Sequence, residues 1–298
     1  MAPAEATDSW KAWRQDIDDS RVLAAFRDVA LIETANEREE ATAIAIALRL
    51  GLEEVSDNPE SRVALITPDR ALARRVMSEL ARFGIEADDS AGTPMTGTQA
   101  AMLTQVVAEA CLRPGDPVAI VSLIKHPLAR FGFTAEDMRK AADALERIAL
   151  RGGLKNLDLA EMEPLFAEGL EAHLADRHKP QWRISITPEE IELARLLASR
   201  VTQAVEPLVS AVIRSTDGRV LSQSLTVSDW AERTGRVLEA VTVDERGDLA
   251  GLWGDAAGEA LARLLAEVLE TDGQIEADGP QWVDILTALM AGQAVKPR

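Results

Sequence analysis

The stretch Arg62-Val63-Ala64-Leu65-Ile66-Thr67-Pro68-Asp69-Arg70-Ala71-Leu72-Ala73-Arg74-Arg75-Val76 decides the fold class of the first part of the chain. Its opening half is short, apolar and β-branched and is bounded by turn residues, the pattern of a buried strand. Thr67-Pro68 then opens a helix, with Thr67 as N-cap and Pro68 at the first helical position, where its missing N–H costs nothing. Leu72, Val76, Leu80 and Phe83 recur at helical spacing as one buried stripe, and Gly84 is placed to end the helix.

Outward from this stretch the same unit repeats. Val29-Ala30-Leu31-Ile32 reads as a buried strand, and Asn36 as the N-cap of a second helix with Glu39 three residues later. Ala41, Ile44, Ala45, Leu48 and Leu52 share one face of that helix. Ile85-Glu86-Ala87 reads as a third, short strand. Two strand–helix units followed by a strand predict parallel strands joined by right-handed crossovers. Upstream, Trp10, Trp13, Ile17, Val22, Leu23 and Phe26 carry a helical pattern.

Beyond Pro94 the period is helical, over 97–112, 116–125, 135–150, 159–175, 188–214, 228–242, 255–272 and 281–291. Thr134 with Asp137, and Thr187-Pro188-Glu189-Glu190, are helix starts. Pro207 should break or kink the helix that holds Val201, Val205, Leu208 and Val212. Gly152-Gly153 and Gly273 read as stops, and Asp217-Gly218 as the turn of a short hairpin within 214–227. Gln293 to Arg298 shows no closing element and reads as a cut within a longer chain. The expected class is α/β plus α: part of a parallel-sheet lobe with few strands, followed by a mostly helical domain.

Composition narrows the chemistry. The 298 residues are 47% hydrophobic and 28% charged, enough for a sizeable core in one large or two ordinary domains. The net charge of −18 opposes a freestanding nucleic-acid clamp, which needs Lys and Arg against phosphate. One cysteine, Cys111, permits no internal disulfide, and His126, His173 and His178 are too scattered for a zinc centre. No apolar run reaches the roughly 18 residues that cross a bilayer, and Met1 to Glu5 has no signal-peptide character, so a cytoplasmic location is expected.

No phosphate-binding loop and no Gly-x-Gly-x-x-Gly fingerprint occurs, which speaks against autonomous nucleotide binding. Pro68-Asp69 supplies the first half of a metal-dependent nuclease motif, but none of the six lysines lies two residues after an acid. Asp69 therefore reads as a first-turn helix residue. Arg70, Arg74, Arg75 and Arg82 form a basic cluster on the helix after Thr67, with Arg70 and Arg74 one turn apart. They lie at the carboxyl end of a strand, where open α/β sheets bind ligands. Contact with a DNA phosphate or a neighbouring lobe is one reading; a solvated face paired with Glu79 and nearby acids is the other. Aromatic platforms for single strands are missing, because there is no tyrosine and the Phe and Trp residues fall mostly in apolar stripes.

Three blocks carry a family resemblance: Glu33-Thr34-Ala35-Asn36-Glu37-Arg38-Glu39-Glu40-Ala41, then Val63 to Val76, then Leu80-Ala81-Arg82-Phe83-Gly84-Ile85. With Asp8-Ser9-Trp10 and Asp88 to Pro94 they resemble the AddB family of bacterial double-strand break repair proteins. More distantly, the same order is similar to the second motor lobe of UvrD-type superfamily 1 helicases. The resemblance is most specific over about 29–95 and collinear beyond. It implies an internal fragment of a subunit of an ATP-dependent DNA helicase–nuclease, working with an AddA-type partner. In that family's fold, residues 1–125 would be part of the second RecA-like lobe and 126–298 a helical inserted domain. The nucleotide loop would lie upstream and the cysteine-rich nuclease domain downstream. ATP, magnesium and an iron–sulfur cluster would thus belong to the parent and none to this segment. No catalytic residue of the family falls on this sequence; Arg70, with Arg74 and Arg75, is the candidate DNA or interlobe contact. The other readings are a self-contained helical interaction or regulatory protein, and a small-molecule enzyme with Arg70, Asp69 and Glu33 converging at the strand ends.

Overall fold

The computed structural model describes residues 18–54, 62–90, 92–151, 158–176, 185–214, 220–271 and 275–296. The chain divides into two units, Met1–Asp88 and Asp89–Arg298. The expected boundary near residue 125 thus falls inside the second unit.

In the first unit, helices α1 (Asp19–Ala25), α2 (Glu37–Glu54) and α3 (Arg70–Arg82) form. Asn36 starts α2 as its sequence implies. Its Oδ1 accepts the N–H groups of Arg38 and Glu39 at 3.1 and 3.0 Å, and Glu39 reaches back to the N–H of Ala35. At α3 the expectation is corrected. Asp69, not Thr67, is the N-cap, accepting from Ala71 and Leu72 at 2.7 and 3.2 Å, while Thr67 Oγ1 accepts the N–H of Asp69. A carboxylate meets both free N–H groups and the positive end of the helix dipole, so it outcompetes a hydroxyl. Gly84 closes α3 at φ +71°, with the Ile85 N–H donating to the Leu80 carbonyl.

Helices α2 and α3 pack through Ala41, Ala45, Leu72, Val76 and Leu80, with Ile44, Leu48, Leu65 and Ile85 against them. Helix α1 buries no residue. Residues 30–34, 62–67 and 86–88 carry no regular secondary structure, and no backbone–backbone hydrogen bond joins them to other described residues. The parallel ladder expected there is therefore not formed, and Leu31 and Ile66 remain 86% and 95% exposed. Every paired strand in the described residues is short, antiparallel and outside this unit.

The second unit is helical, with α4 (Gln99–Leu112), α5 (Pro117–Ile124), α6 (Ala135–Leu145), α7 (Met162–Ala175), α8 (Pro188–Val209), α9 (Val227–Thr242), α10 (Ala250–Trp253), α11 (Ala256–Leu269) and α12 (Gly279–Ala291). A π-helical turn, Glu146–Leu150, extends α6. Thr134 caps α6 through the Asp137 N–H, and Thr187 with Glu190 forms a reciprocal capping box on α8. Helix α8 is the hub: α6, α7, α9 and α4 all pack on it. Its buried face is Ala194, Leu197, Ala198, Val201, Ala204, Val205 and Leu208.

Helix α8 stops at Val209 rather than running to 214. Pro207 has no N–H to continue the ladder, and its carbonyl is taken by Arg233 Nη1 at 2.6 Å. The chain turns back as an antiparallel hairpin of Val212–Arg214 with Val220–Ser222. Asp217-Gly218, Gly152-Gly153, Gly273, His178, Trp10, Trp13 and Ile17 lie outside the described residues. Near the C-terminus the absence of a closing element is also corrected. Ala294–Val295 pairs antiparallel with Thr93–Pro94, and the Met95 N–H donates to the Gln293 carbonyl at 3.0 Å. Gly92 makes this possible: at φ +67°, a Cβ there would lie 2.4 Å from the Val295 carbonyl oxygen.

Two fully buried tryptophans, Trp230 on α9 and Trp282 on α12, organise the core beneath. Trp282 Nε1–H donates to Thr234 Oγ1 at 3.0 Å, and that hydroxyl donates to the Trp230 carbonyl at 2.7 Å. Trp230 Nε1–H donates in turn to the Ala277 carbonyl at 2.9 Å. Every polar atom of this relay is matched. Thr234→Val keeps the shape and strands the Trp282 N–H, so it should lower unfolding free energy by about 1–3 kcal/mol in a denaturant titration. Thr234→Ser, which keeps the hydroxyl, should lose less.

Candidate functional site

The arginine face of α3 is built by the helix repeat. Arg70 and Arg74 lie one turn apart, so they share a side, and both are exposed. Asp69 sits at their base, its carboxyl held below the ordinary range by the Leu72 and Ala71 N–H groups and, to a smaller extent, by Arg75 and Arg74. Arg75 is drawn across to α2, where Glu37 meets it at 2.6 Å. Arg82 is bound to Glu79 at 2.7 Å. Arg75 and Arg82 thus pair with neighbouring acids, and Arg70 and Arg74 lie exposed on one side of the first turns of α3.

A cleft of about 350 Å³ lies between α2 and the segments 30–34 and 62–67, lined by Ile32, Thr34, Glu40, Ile44, Leu65 and Ile66 among others. Asp69, Arg70 and Glu33 do not line it. The Asp69 carboxylate accepts the Ala71 and Leu72 N–H groups as the cap of α3. Among the described residues, no group of three or more His, Cys, Asp or Glu is placed to hold a metal ion. Cys111 is fully buried, and burial pushes its thiol far above the ordinary range, so it is a packing residue. His173 is buried on α7, and His126 sits half-buried after α5. No helix among the described residues is long and apolar enough to cross a membrane.

One concave surface was not marked by the sequence. Lys125, His126, Arg130 and Arg139 line a cavity of about 370 Å³ in the second unit. These residues come from the end of α5, the following loop and α6, so neither helical nor strand spacing groups them. The one local cue is His126-Pro127 ending an apolar run.

Compared with protein-family models, with curated proteins and with solved structures, the chain gives no match.

Because the folded-state pKa of Asp69 is lowered, its cap contributes stability above the unfolded-state value and loses it as pH falls through the folded value. Hydrogen-exchange protection factors at the Ala71 and Leu72 amides, taken against the intrinsic rate at each pH, should therefore fall on acidification below about pH 4, near the ordinary aspartate range. In Asp69→Asn, which still caps but does not titrate, that acid response should disappear.

Proposed function

We propose that this chain is a non-catalytic internal piece of an AddB-like subunit of an ATP-dependent DNA helicase–nuclease that processes double-strand breaks for recombinational repair. The reading rests on the order of residues 29–95: the Asn36–Glu39 helix start, the apolar segment 62–67, the arginine-bearing helix and the Gly84-Ile85 exit. One structural observation supports it above others. Residues 30–34 and 62–67 form neither helix nor ladder with other described residues, and Leu31 and Ile66 are uncovered. An exposed apolar edge of this kind is a liability in a freestanding unit. It is what a parallel-sheet lobe looks like when its neighbouring strands are supplied from elsewhere. On this reading residues to about 125 contribute to the second RecA-like lobe, and the helices after them are the inserted domain.

In that setting Arg70 and Arg74, with Arg75 held behind them by Glu37, contact DNA phosphate or the neighbouring lobe. The partners are an AddA-type subunit and, through the whole assembly, DNA. Nucleotide, magnesium and any cluster belong to other parts of the parent. The runner-up, a self-contained helical interaction protein, is favoured by one observation: the second unit closes its own core around Trp230 and Trp282.

Incubation of the chain with magnesium, ATP and linear duplex DNA tests the proposal. It should give no nucleotide turnover and no strand cleavage; robust hydrolysis of either bond refutes it. Binding to DNA should be weak and should fall steeply with salt. Arg70→Gln with Arg74→Gln should flatten that salt dependence by about two phosphate contacts in a fluorescence anisotropy titration.

A further inference from the structure

The basic cavity of the second unit has the features of a built site. Arg139 and Asp143 also line a second, smaller hollow, which adds Lys140 and Arg147 from α6 and its π-helical extension and one acid, Glu190, from α8, whose carboxylate accepts the Thr187 N–H at 2.7 Å. Cations therefore gather here in a chain whose net charge is −18. Some are already neutralised. Lys125 is held between Asp143 and Glu146 at 2.7 and 2.5 Å, and Lys140 pairs with Glu136 at 2.9 Å. Arg139 and Arg147 make no salt bridge or hydrogen bond among the described residues.

The donors are also oriented. The Nδ1 of His126 accepts the Leu128 N–H at 3.2 Å, so the proton of the neutral ring sits on Nε2, and burial lowers the pKa to favour that neutral form. Arg130 Nη1 donates to the carbonyls of Pro127 and Ala129 at 2.8 and 2.9 Å, which leaves Nη2 and Nε for a ligand. The loop wall is held from outside. The Arg130 and Phe131 N–H groups both donate to the Val241 carbonyl, and the Gly132 N–H donates to that of Val243. Arg200 Nη1 donates to the Phe131 carbonyl at 2.7 Å, with its guanidinium 4.2 Å from the centre of the Phe133 ring. Phe131 itself is kept at φ +47°, a conformation that a bulky residue holds only when its surroundings enforce it.

We propose that this cavity binds a phosphate group borne by an organic ligand. Two guanidinium groups and an imidazole N–H offer donors only, suited to a tetrahedral oxyanion, and Arg forks match phosphate oxygens in pairs. The one acid in the main cavity, Asp143, is committed to Lys125 and so opposes an anion less. The volume exceeds a bare phosphate, and Ile124, Met138 and Ala142 offer apolar wall to the rest of the ligand. The phosphate is that of a small free phosphomonoester or of a single-strand backbone, for which thymidine monophosphate and oligothymidylate serve as probes. This inference does not rest on the reading of the first unit.

Isothermal titration of the whole chain with thymidine monophosphate, inorganic phosphate and a twelve-residue oligothymidylate tests it. Thymidine monophosphate should bind saturably at one site and inorganic phosphate more weakly. Arg139→Gln should weaken binding about tenfold or more, as loss of a charged hydrogen bond does, and Arg139→Lys should retain part of it. Arg139 is exposed and holds no other group in place, so the variant should unfold at the same temperature as the parent. Arg74→Gln in the first unit should leave the monophosphate affinity unchanged. Oligothymidylate binding that is weakened equally by Arg139→Gln identifies the strand as the source; binding of the monophosphate alone identifies the free phosphomonoester. Absence of saturable binding, or binding indifferent to Arg139→Gln, overturns the proposal.

Discussion

The second unit depends on a buried polar relay rather than on apolar contact alone. Apolar side chains are largely interchangeable by volume, but a tryptophan N–H in a dry interior must meet an acceptor or lose the energy of its hydration. Trp282 meets Thr234, which meets the Trp230 carbonyl, and Trp230 meets Ala277. This ties α9 to α12 and to the strand that precedes α12, in one register. Sliding either helix by a residue would break the relay, so it specifies the arrangement as well as stabilising it. The hub helix α8 presents a broad apolar face to four neighbours.

Much of the helical structure was legible in the sequence because several helices announce their start chemically. Thr134, Thr187 and Asn36 act as read, and the spans they open match within a few residues. Legibility failed where two donors or two partners competed. Thr67 and Asp69 are both good caps, and only three dimensions show the carboxylate taking two N–H groups while the hydroxyl serves Asp69. Residues 62–67 have every local mark of a strand, yet a strand exists only when another backbone lies beside it. The pairing of Thr93–Pro94 with Ala294–Val295 spans almost the whole unit, and no local pattern announces it. The α3 arginines were visible as a cluster, but that Glu37 engages Arg75 was not. The basic cavity was hidden because Lys125, Arg130 and Arg139 belong to three different elements.

The two units differ in how they spend charge. In the first, Arg75 pairs with Glu37 on the neighbouring helix and Arg82 with Glu79 on its own, while Arg70 and Arg74 lie exposed. In the second, an acid-rich surface surrounds a hollow in which Asp143 and Glu146 are occupied by Lys125, and Glu146 also by Arg151. A chain of strongly negative charge thereby keeps small regions where an anion is not repelled. Long-range repulsion still sets the approach, so any such ligand would be gathered at close quarters rather than steered from afar.

The ladder between Thr93–Pro94 and Ala294–Val295 has a mechanical meaning. Thr93 faces Val295 at its outer end, so the strands enter and leave side by side. A pull on those two tails loads the rungs in sequence, as in opening a zip, instead of shearing them together. This clasp would part at low force while the tryptophan relay held, letting the tails lengthen without melting the helices inside.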